Sequence, residues 1–405
     1  MTKNEIIDAA LKVWGRNFYK KTSLSQLACE LKVSKPALYR HFESKNDLNE
    51  AMIERFLDDF AESIRDDFQK SLQIDDADEG ITVIVGSISS FFAKNIYSLI
   101  FSLMNIYERN LDGQTIVQKL NSRGVDFTII QTIIKKKYNN DTNDSYVIST
   151  LVRLIFATLT FLMSNYHKYK NALKIPLSDT DIEEITLIIC NTVKNGLGYP
   201  GDKGTIDFDK LEQQIESNVP VFQAEPFFKA VAEAVAEAGP WGVTMEMVAK
   251  KLGLSKSSLY GHFKNKKDML RRLFVTEFKK IIEYTKQGIK QSKEPTEQLF
   301  LGILSIAVYL RSRPEILIAM DWIRTRKLDL GKPDKNLEIF RLFEDIGIKH
   351  LQIVTEKKEQ ITSHWVLFLL LNILTHPDGS AAKVQNNSIR LLYKYVVLGL
   401  GGFNK

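Results

Sequence analysis

The chain has 405 residues, 44% of them hydrophobic and 26% charged, so it is long enough for two or more soluble domains with ordinary cores. Its two cysteines, Cys29 and Cys190, lie too far apart in sequence for a disulfide scaffold, which fits a reducing compartment. The longest apolar runs, near residues 365–371, are too short to span a bilayer, and the N-terminus is not typical of a signal peptide. We therefore expect a cytoplasmic protein without a membrane segment.

The net charge of +6 is unevenly distributed. Residues 1–50 carry nine Lys or Arg and six Asp or Glu, and residues 225–275 carry nine and five, so the rest of the chain is close to neutral. A localised positive excess is typical of a protein that binds a polyanion. A solvated basic surface explains each segment, taken alone, equally well.

The apolar spacing is helical nearly throughout, and it predicts an all-α fold made of two units. In the first unit it predicts helices at 5–18, 23–31, 35–41, 45–71, 81–95, 97–109, 114–138, 146–169 and 179–196. A polar connector follows, with one turn of helix at 209–216. In the second unit it predicts helices at 225–238, 244–252, 256–262 and 266–291, followed by about five more.

The same short segment occurs once in each unit. Ser34–Phe42 reads SKPALYRHF and Ser255–Phe263 reads SKSSLYGHF, and each is followed at the same offset by a Lys and an Asp. The two copies start 221 residues apart. Solenoid repeats recur every ~20–50 residues, so this longer period indicates two whole domains of one kind.

Each copy of the segment lies in a predicted helix-turn-helix. Ser23 and Gln26 form a capping box at the start of the first short helix, and Ser34 caps the second. Thr244 and Ser255 hold the same places in the second unit. Two short helices joined by a three-residue turn are typical of this motif.

The second short helix has one apolar side and one side suited to DNA. On a helical wheel Leu38 and Phe42 share the buried side, whereas Pro36, Ala37 and Arg40 lie on the exposed side. Arg can read guanine and small side chains can contact a thymine methyl in the major groove. One such helix pair alone is more often a plain helical corner, but two copies in two basic segments favour DNA binding.

The residues around this motif resemble a known family. Leu38–Leu48 (LYRHFESKNDL) and Leu259–Met269 (LYGHFKNKKDM) are similar to the signature of the TetR family of bacterial transcriptional regulators. The likeness is specific around the two helix-turn-helix motifs, and beyond them only helix number and length fit. A typical member is about half this length and works as a homodimer, so the chain resembles two fused subunits.

The resemblance implies a role for each matching residue. Bases would be faced by Lys35, Pro36, Ala37, Arg40, Lys256, Ser257 and Ser258. The DNA backbone would be contacted by Ser23, Tyr39, His41, Lys45, Thr244, Tyr260, His262 and Lys266. Two positions depart from the family pattern: Gly261 replaces Arg40, and Phe18 stands where the family, like Gly239 in the second unit, usually has glycine. These departures argue against equal DNA affinity of the two units.

The resemblance also implies how the domains are arranged. The expected divisions are a DNA-binding domain at 1–48, a ligand and dimerisation domain at 49–197, a connector at 198–222, a second DNA-binding domain at 223–270 and a second ligand and dimerisation domain at 271–405. Family members dimerise through their last two long helices. A connector of about 25 residues reaches up to roughly 80 Å, which favours an intramolecular pseudo-dimer. Further self-association, as a dimer of tandem chains, stays open.

Aromatic-rich helices in both units are expected to enclose a small apolar effector, as in the family. The predicted lining residues are Phe92, Phe101, Met104, Tyr107, Tyr309, Met320, Trp322 and Phe343, although plain core packing explains any one of them equally well. We expect no cofactor and no metal, because the histidines lack metal-ligand spacing. We expect no enzyme activity, because the chain lacks a nucleophile elbow, a P-loop and a paired-acid motif.

Two functional hypotheses follow. The preferred one is a ligand-responsive regulator, a repressor, whose two helix-turn-helix units enter successive major grooves of an asymmetric double-stranded DNA operator. The alternative is a helical scaffold or metabolite sensor in which one or both units have lost DNA binding. Gly261 keeps that alternative open for the second unit.

Overall fold

The computed structural model describes residues 2–17, 23–107, 111–137, 145–173, 177–199, 206–217, 225–326, 341–351, 353, 360–375 and 382–403. Throughout these ranges the chain forms helices joined by turns and contains no strand. The predicted all-α fold is confirmed. Phe18 lies outside the described residues.

The first repeat, which ends near residue 197, contains ten described helices. They are α1 (Lys3–Asn17), α2 (Leu24–Glu30), α3 (Lys35–Tyr39), α4 (Lys45–Ser71), α5 (Ala77–Lys94), α6 (Ile96–Tyr107), α7 (Gly113–Asn121), α8 (Ile129–Lys137), α9 (Ser145–Ala172) and α10 (Asp179–Asn195). The expected order of one helix, two short helices and one long helix is present at its start.

The prediction of one helix at 114–138 is wrong, because two helices, α7 and α8, occupy that range. After α7 the chain turns at Gly124, whose φ is +79°, and Val125 N–H closes the turn by donating to Leu120 O at 3.0 Å. Asp126 then accepts hydrogen bonds from the backbone N–H and the hydroxyl of Thr128. The apolar period continues across this break, so hydrophobic spacing alone did not reveal it.

The connector and the second repeat contain nine described helices and a final 3₁₀ turn. They are α11 (Phe208–Glu216), α12 (Pro226–Gly242), α13 (Met245–Lys251), α14 (Lys256–His262), α15 (Lys266–Ile289), α16 (Pro295–Ser312), α17 (Pro314–Arg326), α18 (Gln360–Leu374), α19 (Ala382–Leu398) and the 3₁₀ helix Gly399–Phe403. Helix α12 bends at Gly239, where φ is +69°.

The contacts of the chain define two compact units. The first consists of Met1–Asn143 and Leu159–Asn191, and the second consists of Asp144–Thr158 and Thr192–Asn404. The second unit therefore includes the start of α9 and residues 192–197, although both belong to the first repeat in sequence. Each unit is described by itself below.

The core of the first compact unit lies between α4 and α5. Phe56 and Phe60 on α4 meet Phe91 and Phe92 on α5, with ring centroids 5.1–6.4 Å apart. Such ring pairs contribute about 0.5–1.5 kcal/mol beyond their buried area. The long helix that follows the helix-turn-helix is thus anchored to α5 by aromatic packing.

The second compact unit joins the start of α9 to the last helices of the chain. The Trp365 indole N–H and the Tyr395 hydroxyl each donate a hydrogen bond of 3.1 Å to the Thr158 hydroxyl oxygen, and all three side chains are fully buried. Nearer the start of α9, the hydroxyls of Tyr146 and Ser388 also share a hydrogen bond. These contacts connect residues more than 200 positions apart.

The connector contains a docked helix, α11, that is longer than the single turn predicted. Phe208 packs edge-on against Phe300 and Tyr393, with ring centroids 4.9 and 5.6 Å apart. Arg390 makes two hydrogen bonds of 2.7 Å to the Glu212 carboxylate. Leu211 and Ile215 are buried beneath the helix. The helix α11 is therefore part of the second compact unit.

Helix α9 is long and apolar enough to cross a membrane over Tyr146–Asn171. However, 61% of its most apolar stretch is buried inside the protein. A mostly buried helix of this kind is typical of the core of a soluble domain.

Candidate nucleic-acid interface and effector cores

The first helix-turn-helix is held by the predicted caps. Ser23 Oγ accepts a hydrogen bond from Gln26 N–H at 3.1 Å, and Gln26 Oε1 accepts one from Ser23 N–H at 2.8 Å. Ser34 Oγ accepts from Ala37 N–H at 3.2 Å at the start of α3. These bonds satisfy N–H groups that the helices leave unpaired. Leu38 and Phe42 are fully buried, as the helical wheel predicts.

The second helix-turn-helix has the same construction. Thr244 Oγ1 accepts from Met247 N–H at 3.2 Å, and Ser255 Oγ accepts from Ser258 N–H at 3.1 Å. Leu259 is fully buried beneath α14. The two sequence copies therefore fold into two equivalent motifs.

The turns between the two short helices differ in one residue. Lys32 and Gly253 hold equivalent places, and both have positive φ, +55° and +66° respectively. A lysine in this left-handed region costs about 1–2 kcal/mol, whereas glycine adopts it without a Cβ clash. The turn geometry is kept although it is conformationally unfavourable for the lysine of the first repeat.

The structure places the predicted DNA-contacting side chains on the outside of both motifs. Those that are exposed are Ser23, Lys35, Pro36, Tyr39, Arg40, His41, Thr244, Lys256, Ser257, Ser258, Tyr260 and His262, and those that are half-buried are Ala37, Lys45 and Lys266. Tyr39 and Tyr260 are 43% and 48% exposed, which is high for aromatic residues. Both motifs thus present a polar and aromatic face above a buried Leu and Phe.

Two lysines lie at the starts of the long helices that follow the motifs. Lys45 Nζ lies 5.8 Å from the centre of the Trp14 ring, and Ser44 caps the first turn of its helix by accepting from Asp47 N–H. Partial burial lowers the pKa of Lys266, its counterpart. A lysine beside the free N–H groups of a helix start is suited to holding a phosphate.

The second short helices of the two motifs, α3 and α14, are the recognition helices of the predicted interface. The two motifs differ most at the equivalent positions Arg40 and Gly261. A Cβ built at Gly261 meets no atom within 4 Å, so this position is open in the second motif. Its neighbour His262 instead lies against the Phe227 ring, with centroids 4.5 Å apart. The two faces therefore share their aromatic and basic flanks and differ in the residue at their centre.

The predicted effector residues of the first repeat lie within or beside its core. Phe92 and Phe101 are buried, Met104 is half-buried, and the side chain of Tyr107 lies outside the described residues. Sequence reasoning missed a buried amide pair in this region, in which Asn49 Nδ2 donates to Asn105 Oδ1 at 2.9 Å.

The buried histidine His167 also lies in the core of the first compact unit. It is 7% exposed and hydrogen-bonds to the backbone of Ala93, while its Nε2 has no hydrogen-bond partner within the described residues. Burial lowers the pKa of His167 to about 4, so the imidazole is neutral at physiological pH.

One of the predicted effector residues of the second repeat contacts a buried carboxylate. Tyr309, Met320 and Phe343 are buried, and the side chain of Trp322 lies outside the described residues. The Tyr309 hydroxyl donates a hydrogen bond of 2.6 Å to Glu277, which is fully buried. The sequence contains an indication of this buried carboxylate, because Glu277 interrupts the apolar face of α15. The sequence analysis did not identify it.

Metal binding finds no support in the part of the chain that the structure describes. No three His, Cys, Asp or Glu side chains there lie close enough together to hold a metal ion.

A family model matches the chain at both helix-turn-helix motifs. The model described as "Bacterial regulatory proteins, tetR family" matches residues 6–52 and again residues 228–273. A curated relative, the fatty acid metabolism regulator protein of Bacillus subtilis (strain 168), is 34% identical over 125 residues, which are 31% of this chain and 60% of the relative. The chain thus matches less than two thirds of that relative's length.

A solved structure is also similar, the TetR family transcriptional regulator PfmR from Thermus thermophilus. It is 18% identical and the match covers 46% of this chain and 95% of that chain, with a TM-score of 0.33. This likeness is too slight to carry an argument. The two matches to the family model coincide with the two helix-turn-helix motifs described above.

Proposed function

Because the chain belongs to the TetR family of bacterial transcriptional regulators and carries two TetR-like units in tandem, we propose that it is a ligand-responsive repressor that binds one DNA operator through both units. The observation that carries this proposal is the pair of equivalent faces around Tyr39 and Tyr260, each exposed above a buried Leu and Phe. A helix that binds in the major groove of DNA contacts base edges through side chains on an exposed face of this kind. The protein acts in the cytoplasm and has no catalytic activity in this proposal.

The residues of each face divide into two roles. Arg40 and its small neighbours on α3 read bases, and so do Lys256 and its serine neighbours on α14. The tyrosines, histidines and helix-start lysines hold phosphates, which position the protein without reading sequence. Because Arg40 and Gly261 differ at the centre of the two faces, the operator is asymmetric.

The tandem chain forms an intramolecular pseudo-dimer in this proposal. The contacts of Thr158 with Trp365 and Tyr395 support it, because they join a helix of the first repeat to the last helices of the second. The domain divisions expected from sequence remain part of the proposal. One chain of 46.4 kDa then suffices for one operator, so light scattering after size-exclusion chromatography is expected to give that mass.

The effector of the first repeat is an apolar molecule in this proposal. The four phenylalanines between α4 and α5 support that chemistry. The curated relative is a regulator of fatty acid metabolism, which is consistent with an apolar effector. The effector lowers operator affinity by binding one conformation of the chain better than the other.

The proposal is tested by selecting DNA sites in vitro with the full chain and measuring binding by fluorescence anisotropy. Tyr39→Ala and Tyr260→Ala are each expected to weaken binding and to reduce the slope of log affinity against log salt, because a phosphate contact is lost. Tyr97→Ala, outside both motifs, is the control. A best site that is strictly palindromic contradicts the asymmetric operator. Unchanged binding by Tyr260→Ala favours the alternative in which the second unit has lost DNA binding.

A further inference from the structure

The two repeats have different types of side chain at equivalent positions in their cores. Helices α4 and α15 start at the equivalent residues Lys45 and Lys266, so Glu277 holds the place of Phe56. Phe56 packs against Phe91 of α5, with ring centroids 6.4 Å apart. In the second repeat, Glu277 instead accepts a hydrogen bond from Tyr309 of α16.

A second exchange adds a positive charge at the same place. Asn95 lies between α5 and α6, and Arg313 lies between α16 and α17, each ending the first helix of its pair. Phe91 and Tyr309 each precede this junction by four residues, so they are equivalent too. The second repeat therefore has Glu, Tyr and Arg where the first has Phe, Phe and Asn.

The charged groups form a compact buried cluster. Arg313 is 4% exposed, and its terminal nitrogen Nη1 lies 3.3 Å from Glu277 Oε2. Arg313 Nε donates to Glu315 Oε1 at 2.6 Å. Lys280 Nζ lies 3.6 Å from Glu277 Oε1. Two carboxylates and two cations thus balance one another.

The cluster has unused hydrogen-bonding capacity. Among the described residues, Glu277 Oε1 accepts no hydrogen bond and neither terminal nitrogen of Arg313 donates one. A buried polar group left unsatisfied costs about 1–3 kcal/mol, and a charged one more. The first repeat folds with phenylalanines here, so the fold does not require these charges. A buried polar group without a hydrogen-bond partner calls for an explanation, and a bound molecule that supplies the partner is one.

We propose that Glu277, Tyr309 and Arg313 form a binding site for a small zwitterion of the free amino acid class. The carboxylate of the zwitterion accepts hydrogen bonds from Arg313, and its ammonium donates to Glu277 Oε1. A zwitterion has no net charge, so it leaves the charge of the cluster balanced. A simple anion or cation would add a buried charge without a counterpart, which is unfavourable.

The site lies where a ligand can act on the second helix-turn-helix. Glu277 lies on α15, which begins at Lys266 beside the recognition helix. Arg313 directly precedes α17, which packs against α12 of the same DNA-binding domain. A molecule bound between α15 and this junction therefore biases the position of the motif. This regulatory step rests on the proposed function, whereas the binding step does not.

The test measures binding without DNA. The thermal unfolding of the full chain is recorded with each proteinogenic amino acid at millimolar concentration, and calorimetry follows for those that stabilise it. Glu277→Gln, which keeps the side-chain shape, is expected to weaken binding at least about tenfold. Glu283→Gln, an exposed change on the same helix, is expected to bind as the unchanged chain does.

A ligand analogue keeps the proposal testable if Glu277→Gln does not fold. The 2-hydroxy acid that matches the best amino acid has the carboxylate but lacks the ammonium, so the unchanged chain is expected to bind it at least about tenfold more weakly. The proposal is overturned if no amino acid stabilises the chain, if the hydroxy acid binds equally well, or if folded Glu277→Gln binds as tightly as the unchanged chain. A chain that binds an amino acid but no operator supports this site and contradicts the regulator.

Discussion

Gly196 and Gly399 lie in direct backbone contact, although 203 residues separate them in sequence. A Cβ built at Gly196 would lie 2.5 Å from Val396 O and 2.6 Å from Gly399 N, and one built at Gly399 would lie 2.5 Å from Gly196 N. Both residues have positive φ, +55° and +59°. Leu197 N–H then donates to Val396 O at 2.8 Å. Each glycine follows the last long helix of its repeat, so the contact joins equivalent points.

Replacing either glycine is expected to destabilise the second compact unit. Gly196→Ala and Gly399→Ala each combine a clash with backbone atoms and a left-handed residue, so we expect a loss of roughly 2–4 kcal/mol in the free energy of unfolding by urea. Gly198→Ala is the matched control: its φ is +71° but its Cβ meets nothing within 4 Å, so it is expected to lose only about 1 kcal/mol. Equal losses at Gly196 and Gly198 would show that the close approach is unimportant.

Gly261→Arg is expected to change the base preference of the second half-site. The position is open, so the new side chain fits without displacing a neighbour. A good bidentate contact with guanine contributes about 1–3 kcal/mol of discrimination, and Arg40→Gly is expected to lose a similar amount in the first half-site. In vitro selection of DNA sites with both variants and with the unchanged chain measures the base preference of each half-site. An unaltered preference in Gly261→Arg would mean that α14 does not face bases.

The stability of the chain is expected to fall in mild acid because of His167. The folded pKa of about 4 lies below the unfolded value of about 6.5, so the unfolded chain binds the proton first. The contribution of neutral His167 is complete above about pH 6.5 and is lost as the pH falls toward 4, up to about 3 kcal/mol.

Urea unfolding across this pH range checks the effect of His167. His167→Leu is expected to flatten the acid limb of the curve of stability against pH. His41→Gln, which changes an exposed histidine, is expected to leave that limb unchanged. If the slopes of the His167→Leu and unchanged chains coincide, His167 is not the group responsible.

Lys32→Gly is expected to stabilise the first helix-turn-helix. Lys32 has φ of +55° in the turn where the second repeat has Gly253. Relief of the left-handed strain exceeds the entropy cost of glycine, which leaves a gain of roughly 0.5–1 kcal/mol in unfolding free energy. The reciprocal change, Gly253→Ala, is expected to lose about 1 kcal/mol. A loss of stability in Lys32→Gly would show that the lysine has a structural contact that outweighs its strain.

The connector helix α11 is expected to contribute to the stability of the second compact unit. Leu211→Ala and Ile215→Ala each remove a buried aliphatic side chain, so we expect losses of about 2–4 kcal/mol. Gln213→Ala, on the exposed side, is expected to change stability by less than about 0.5 kcal/mol. Urea unfolding distinguishes these cases. A connector that is only a tether would tolerate all three changes alike.

The sequence predicted the features that depend on neighbours along the chain. The caps at Ser23 and Ser34 and the burial of Leu38 follow from side chains within a few residues of one another, and each was foreseen. The all-α fold follows from the same local periodicity. Local reasoning also explains the error at 114–138, because the apolar period continued through the turn at Gly124.

The tertiary structure decided what depends on residues far apart in sequence. Helix α11 docks because Phe208 and Glu212 meet Arg390 and Tyr393, and no local pattern specifies those partners. In the sequence, Glu277 is an interruption in an apolar helix face. The tertiary structure shows that Arg313 forms an ion pair with it.

By itself, then, the sequence determined that the chain is helical and contains two copies of one helix-turn-helix motif, because helix periodicity, caps and turns are local properties. Only the tertiary structure decided which side chains meet in the two cores and that Gly196 must meet Gly399. Packing partners are set by the path of the whole chain through space, and hydrophobic spacing records which side of a helix is buried but not what lies against it.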